Sequence, residues 1–180
     1  MDTRESLKRL EETVDYYLEQ LEGIAEEPLS RKPSEEEWSI GQLYVHLIQS
    51  SRFMNLRHIG LCQAGNDAAI VVGGVKNEAG FEVFRNSGFS DVKIHVPPSP
   101  LYTPKQPDGK AELNEGMRAL VLSMKEIVPK LQEIPSENTV LHPRLGALNA
   151  EEWFKMVEIH FGHHLKQLRR LQQFVGAGTS

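Results

Sequence analysis

Two histidines stand where an amphipathic helix would place apolar side chains. In the C-terminal quarter of the chain the stripe Trp153, Val157, His160, His164, Leu168, Leu171 advances by four, three, four, four and three residues. That is the period of one buried helical face. His160 and His164 are one turn apart on it, which sets their Cβ atoms about 5–6 Å apart. Two imidazoles on one face suit two ligands of a single metal ion. A lone inward histidine is ordinarily a hydrogen-bonded core residue. Burying two imidazoles without partners would cost roughly 1–3 kcal/mol each, a cost that a metal removes. His163 lies on the side of Met156, Gln167 and Arg170, at the edge of the stripe. His46 follows Leu43 by three and precedes Leu47 by one, so it borders the apolar face of another helix. Spacing alone stops at an inward pair with no identified third ligand.

Other chemistry-bearing residues are sparse. Glu158 precedes His160 by two residues and falls on a different face. Glu151 and Glu152 suit the first turn of a helix, where carboxylates complement the dipole. Tyr44, Tyr102 and Arg57 are candidates to line a cleft, and no general base stands out. The single cysteine, Cys62, excludes an internal disulfide and a cysteine-built zinc site. It lies about four helical turns from His46, too far to act as a nucleophile there.

Four segments carry the helical period. The first runs from about Thr3 to Ala25 on Leu7, Leu10, Val14, Leu18, Leu21 and Ile24. The second starts at Ser39, with Gln42 completing a capping box, and continues to about Leu61. The third spans about Ala111 to Glu133, with the stripe Leu113, Met117, Leu120, Met124, Ile127, Leu131. The fourth opens at Asn149, with Glu152 as its box partner, and runs to about Val175. Between the second and third lies an irregular connection, residues 64–110 or so, rich in glycine and proline. Ile70–Val72 and Val92–Val96 have strand-like composition within it, and Pro97–Pro100, Pro104 and Pro107 cannot be helix interior. The expected fold class is all-α: one domain over 1–180, a four-helix bundle with a long crossover between its second and third helices.

The length permits this. For 180 residues and 20.3 kDa, general scalings give about 9,000 Å² folded against about 29,000 Å² unfolded, so about 70% can be buried. The formal charge of −5 argues against nucleic acid as partner. The densest basic cluster, Lys166, Arg169 and Arg170, sits at a helix C-terminus, where cations are expected anyway. The N-terminal MDTRESLKRLEETVDYY has no apolar run suited to a signal peptide, and no stretch approaches a membrane span. A cytoplasmic protein is expected.

Two stretches carry a resemblance. Trp38-Ser-Ile-Gly-Gln-Leu-Tyr-Val-His46-Leu47 resembles the W-S-x(6)-H-L signature of the DinB/YfiT-like superfamily. His142-Pro-Arg-Leu-Gly-Ala-Leu, then Trp153, then His160-Phe-Gly-His-His164-Leu-Lys-Gln167 resembles its C-terminal signature. The segment Pro97–Pro107 is also similar to the connection in this family. The resemblance implies a four-helix bundle, often a homodimer, that binds one divalent metal ion through three histidines. Carried over, these are His46, His160 and His164, with zinc or nickel as the metal and an open coordination position. His163 matches a frequent family histidine that is not a usual ligand. Gln167 matches a recurrent glutamine that could orient a ligand or solvent. His142, in a turn marked by Pro143 and Gly146, is read as structural support. His58 and His95 receive no role. The resemblance further implies a small-molecule substrate and thiol S-transferase or hydrolase chemistry, with a low-molecular-weight thiol such as bacillithiol, mycothiol or a glutathione-type thiol. The alternative is a non-catalytic, stress-linked dimer that holds a small ligand, its histidines hydrogen-bonded in the core.

Overall fold

A computed structural model describes residues 2–89 and 103–177. Helix α1 (Thr3–Glu22) is capped by Asp2, whose side chain accepts from the Arg4 N–H, and ends at Gly23. Its stripe Leu10, Val14, Tyr17, Leu18 and Leu21 is buried. A short 3-10 turn, Glu27–Ser30, leads on to Ser39.

The second helical stretch is as long as its periodicity predicts, but it is not uniform. Helix α2 (Ile40–Ser50) starts on the expected capping box. The Gln42 N–H donates to Ser39 Oγ and the Ser39 N–H to Gln42 Oε1, both at 3.1 Å. It passes through a π-helical segment, Ser51–Leu56, into α3 (Arg57–Ala64). Such segments are rare and often lie beside functional sites.

The connection contains ordered pieces: strand β1 (Ile70–Val72) and helix α4 (Glu78–Asn86), whose cap Asn77 accepts from the Gly80 N–H. The reading of Val92–Val96 as a strand, Pro97–Pro100, His95 and Tyr102 all lie outside the described residues. The far end of the connection docks on the start of α2. Gln42 Nε2 donates to the Pro104 carbonyl at 2.7 Å and Ser39 Oγ to Gln106 Oε1 at 2.9 Å.

Helix α5 (Lys110–Ile127) buries Leu113, Met117, Leu120 and Met124. It stops short of the expected Glu133 and tightens into a 3-10 segment, Val128–Glu133. Pro129 explains this: it has no N–H to donate, and its ring crowds the preceding turn. Strands β2 (Asn138–His142) and β3 (Gly146–Asn149) follow, and β1, β2 and β3 form an antiparallel sheet in that order. The fold is therefore mostly helical, with a small sheet that an all-α reading omits. Val140 and Leu148 pair across it and face the core. Gly146, at φ 80°, lets the chain around Val75–Asn77 approach closely. The Ala147 N–H donates to the Val75 carbonyl and the Asn77 N–H to the Leu145 carbonyl, each at 3.0 Å.

Helix α6 (Ala150–Ala177) opens on the expected box. The Glu152 N–H donates to Asn149 Oδ1 at 3.0 Å and the Asn149 N–H to Glu152 Oε2 at 2.9 Å. It packs on α1, α2 and α3, while α5 packs on α1 and α2. Tyr17, Tyr44, Trp153, Phe154 and Phe161 fill the middle. Tyr44 is a core residue, not a cleft residue: its hydroxyl donates to the Tyr17 carbonyl at 2.7 Å. Tyr17 in turn donates to the Phe161 carbonyl at 3.0 Å. Among the described residues, no helix is long and apolar enough to cross a membrane.

Candidate metal centre

The α2–α6 contact sets the site. The Ser39 cap fixes where α2 begins, and the buried residues Leu43 and Leu47 fix its rotation. His46, at the border of the face they bury, is thereby turned toward α6. The Trp38 ring packs against its ring, with centroids 4.7 Å apart. On α6, Trp153, Val157, Leu168 and Leu171 are buried and hold the stripe that carries His160 and His164 inward.

The three imidazoles converge through Nε2. His46 Nε2 lies 3.0 Å from His160 Nε2, which lies 3.1 Å from His164 Nε2. Among the described residues, this is the group of three His, Cys, Asp or Glu side chains whose ligand atoms come together, all within 4.8 Å. The opposite ring nitrogens of the α6 pair are occupied. His164 Nδ1 is 2.8 Å from Gln167 Oε1, which can only accept. His160 Nδ1 is 3.3 Å from Ser50 Oγ, and that hydroxyl spends its own proton on the His46 carbonyl at 2.7 Å. Both rings are thus assigned as Nδ1–H tautomers, with lone pairs at Nε2.

Two lone pairs 3.1 Å apart repel unless a cation lies between them. Nitrogens each about 2.0–2.1 Å from a zinc-like ion sit roughly 2.9–3.4 Å from one another, from right-angled to tetrahedral geometry. The donor set therefore fits one divalent ion. Burial also keeps the rings uncharged. Desolvation lowers His46 to about 3, with His164 and His163 adding to the drop; it lowers His164 to about 4 against the raising effect of the Gln167 hydrogen bond, and it lowers His160 strongly. Neutral imidazole is the ligating form.

The remaining sequence candidates divide. Gln167 is at the site through His164. His163 is exposed, its ring edge against His164 at 5.1 Å and Phe89 at 5.0 Å, so the described end of the connection reaches the rim. His142 is apart from the triad, at the end of β2. Its Nδ1 accepts from the Arg144 N–H at 3.1 Å and its ring packs on Trp153. His58 packs on the same indole at 4.4 Å. Glu158 is half-buried near Arg9 and Glu5 of α1, with its carboxyl raised by burial. Cys62 is buried, and burial pushes its thiol up to about 11. Sequence reasoning missed Ser50. Its only signal is a hydroxyl four residues after His46, the spacing that returns it to the same helical face.

Among curated proteins, no sequence matches the chain. Residues 9–168 match the family model of the DinB superfamily, a span that includes every residue of the triad, both of its signature stretches and most of the described helices; the chain belongs to the DinB superfamily.

Proposed function

We propose that the chain is a divalent-metal-dependent enzyme, a thiol S-transferase or hydrolase, with His46, His160 and His164 holding one zinc or nickel ion. The observation that carries this is the convergence of three Nε2 atoms while Gln167 and Ser50 occupy the opposite nitrogens of His164 and His160. When bound, the metal supplies positive charge that acidifies a coordinated water or exogenous thiol. The residues of the chain do the rest. Three neutral ligands leave the charge of the ion uncompensated and at least one position open to a small molecule. Gln167 and Ser50 keep protons at Nδ1, so that Nε2 stays free. Trp38 covers one side of the His46 ring and keeps water from it. The buried thiol of Cys62 supports a nucleophile that comes from outside the chain.

The proposal also takes α1, the α2–α3 stretch, α5 and α6 as the four helices of a bundle in one domain, with residues 64–110 as its crossover. What supports it is the packing of α6 on α1, α2 and α3 and of α5 on α1 and α2. A homodimer, a cytoplasmic setting and a low-molecular-weight thiol as co-substrate rest on the family resemblance. Metal analysis of the purified protein tests the reading. One equivalent is expected, lost in a His160→Ala, His164→Ala double variant that still folds. Less than about a tenth of an equivalent, even after zinc or nickel is added, would refute it.

A further inference from the structure

We infer that Ser50 is a positioning residue of this site, holding the His160 imidazole in the tautomer that turns its Nε2 lone pair toward the other two histidines. The inference rests on the metal-site reading for its purpose, and on geometry for its mechanism.

Ser50 is the last residue of α2, one turn beyond His46. Its Oγ is 2.7 Å from the His46 carbonyl and 3.3 Å from the Leu47 carbonyl. A hydroxyl has one proton, and the shorter contact takes it. The oxygen then faces His160 Nδ1, at 3.3 Å, with lone pairs only. A lone pair there requires an Nδ1–H on the ring. One side chain therefore joins the backbone of the first ligand to the ring of the second, across the α2–α6 interface. Gln167 does the same for His164 from within α6.

Removing the hydroxyl has a consequence that simple loss of packing would not. In Ser50→Ala, His160 Nδ1 has no acceptor at that position. The ring can recover a hydrogen bond by moving its proton to Nε2, which lies 3.0 Å from His46 Nε2 and 3.1 Å from His164 Nε2. The metal-free ring thus stays hydrogen-bonded, although the two Ser50 hydroxyl contacts are gone, while the lone pair needed by a metal is lost. Stability and metal affinity should separate. A positioning partner of a metal-binding histidine is worth about 10–100-fold in affinity.

The test reads both quantities in the full chain. Imidazole nitrogen shifts are measured on the metal-free wild type, Ser50→Ala and Ser50→Thr, and zinc affinity is measured against a competing chelator. The wild type should show His160 protonated at Nδ1. Ser50→Ala should move that proton to Nε2 and weaken zinc binding about 10–100-fold with little change in metal-free Tm, and Ser50→Thr should restore both. A wild-type His160 protonated at Nε2 overturns the inference, as does a Ser50→Ala variant that binds zinc as tightly as wild type. Wild-type protein that takes up neither zinc nor nickel overturns the metal reading as well. Zinc binding by wild type with equal affinity in Ser50→Ala overturns the role of Ser50 alone.

Discussion

Gln167 Oε1 accepts the Nδ1 proton of His164 across 2.8 Å, three residues further along the same helix. The glutamine fixes which nitrogen of His164 is free to coordinate. Gln167→Ala should weaken zinc binding about 10–100-fold, while Gln167→Glu, which also accepts, should retain it. Competitive chelator titration of both variants checks this. Equal affinities for wild type and Gln167→Ala would show that the contact is incidental.

Metal binding should be unusually tolerant of acid. Three exposed histidines near their ordinary pKa of about 6.5 would each lose about tenfold in metal competition per pH unit below it, or roughly 1,000-fold together at pH 5.5. Here desolvation holds His46 near 3 and His164 near 4, with His160 also strongly lowered. Protons therefore compete little above pH 5. Zinc affinity should fall by less than about tenfold between pH 7.5 and 5.5. A much steeper decline would mean that the rings are hydrated.

The metal-free protein should show the complementary effect. A ring kept neutral by burial binds fewer protons folded than unfolded. Stability then rises with pH between the folded pKa values and about 6.5. It is fully present above that value and is lost as the pH falls toward 4, with His142, lowered to about 4, adding to the slope. Urea midpoints at pH 7.5, 6 and 5 should decrease in that order, and added zinc should raise all three by similar increments. A flat profile would show that the histidines already take up protons in the fold.

Lys76 ties the long connection to the start of α6. Its ammonium pairs with Glu152, both side chains being less than one-fifth exposed, and lies over the rings of Phe81 and Phe84. Lys76→Ala leaves a largely desolvated carboxylate and should cost about 1–3 kcal/mol. Lys76→Met, which keeps the packing without the charge, separates the two contributions. Chemical denaturation of both variants measures the difference.

What could be read in the chain was what is local. The boxes Ser39/Gln42 and Asn149/Glu152 each rely on contacts three residues apart, and the stripes of α1, α5 and α6 depend on spacing alone. Of the sheet, the sequence marks β1 alone, through the strand-like composition of Ile70–Val72. β2 and β3 are short, and β1 lies more than sixty residues away, so their pairing is decided by tertiary packing. The π segment at Ser51–Leu56 hid for another reason: the residues it buries, Ser51 and Asn55, are polar, so no apolar stripe marks the change of phase there. His160 and His164 were legible because polar side chains interrupted an apolar stripe. His46 borders its stripe, so its place in the site needed the family motif, and Ser50 needed the coordinates. The end of α5 is masked by its own stripe, because the apolar spacing persists through the 3-10 segment beyond Ile127 while Pro129 ends the α-helix.

Cys62 gives the chain a built-in reporter. Its side chain is buried, and its carbonyl is clasped by Asn138 Nδ2 at 2.9 Å, joining α3 to β2. A thiol-specific dye cannot reach the sulfur until α3 lifts from the sheet and the helix behind it. The rate of labelling in native buffer is therefore a clock for that opening, read from a single atom without any introduced probe. The same seclusion keeps Cys62 slower to react than a free thiol, so that consumption of an added thiol can be followed before the chain contributes.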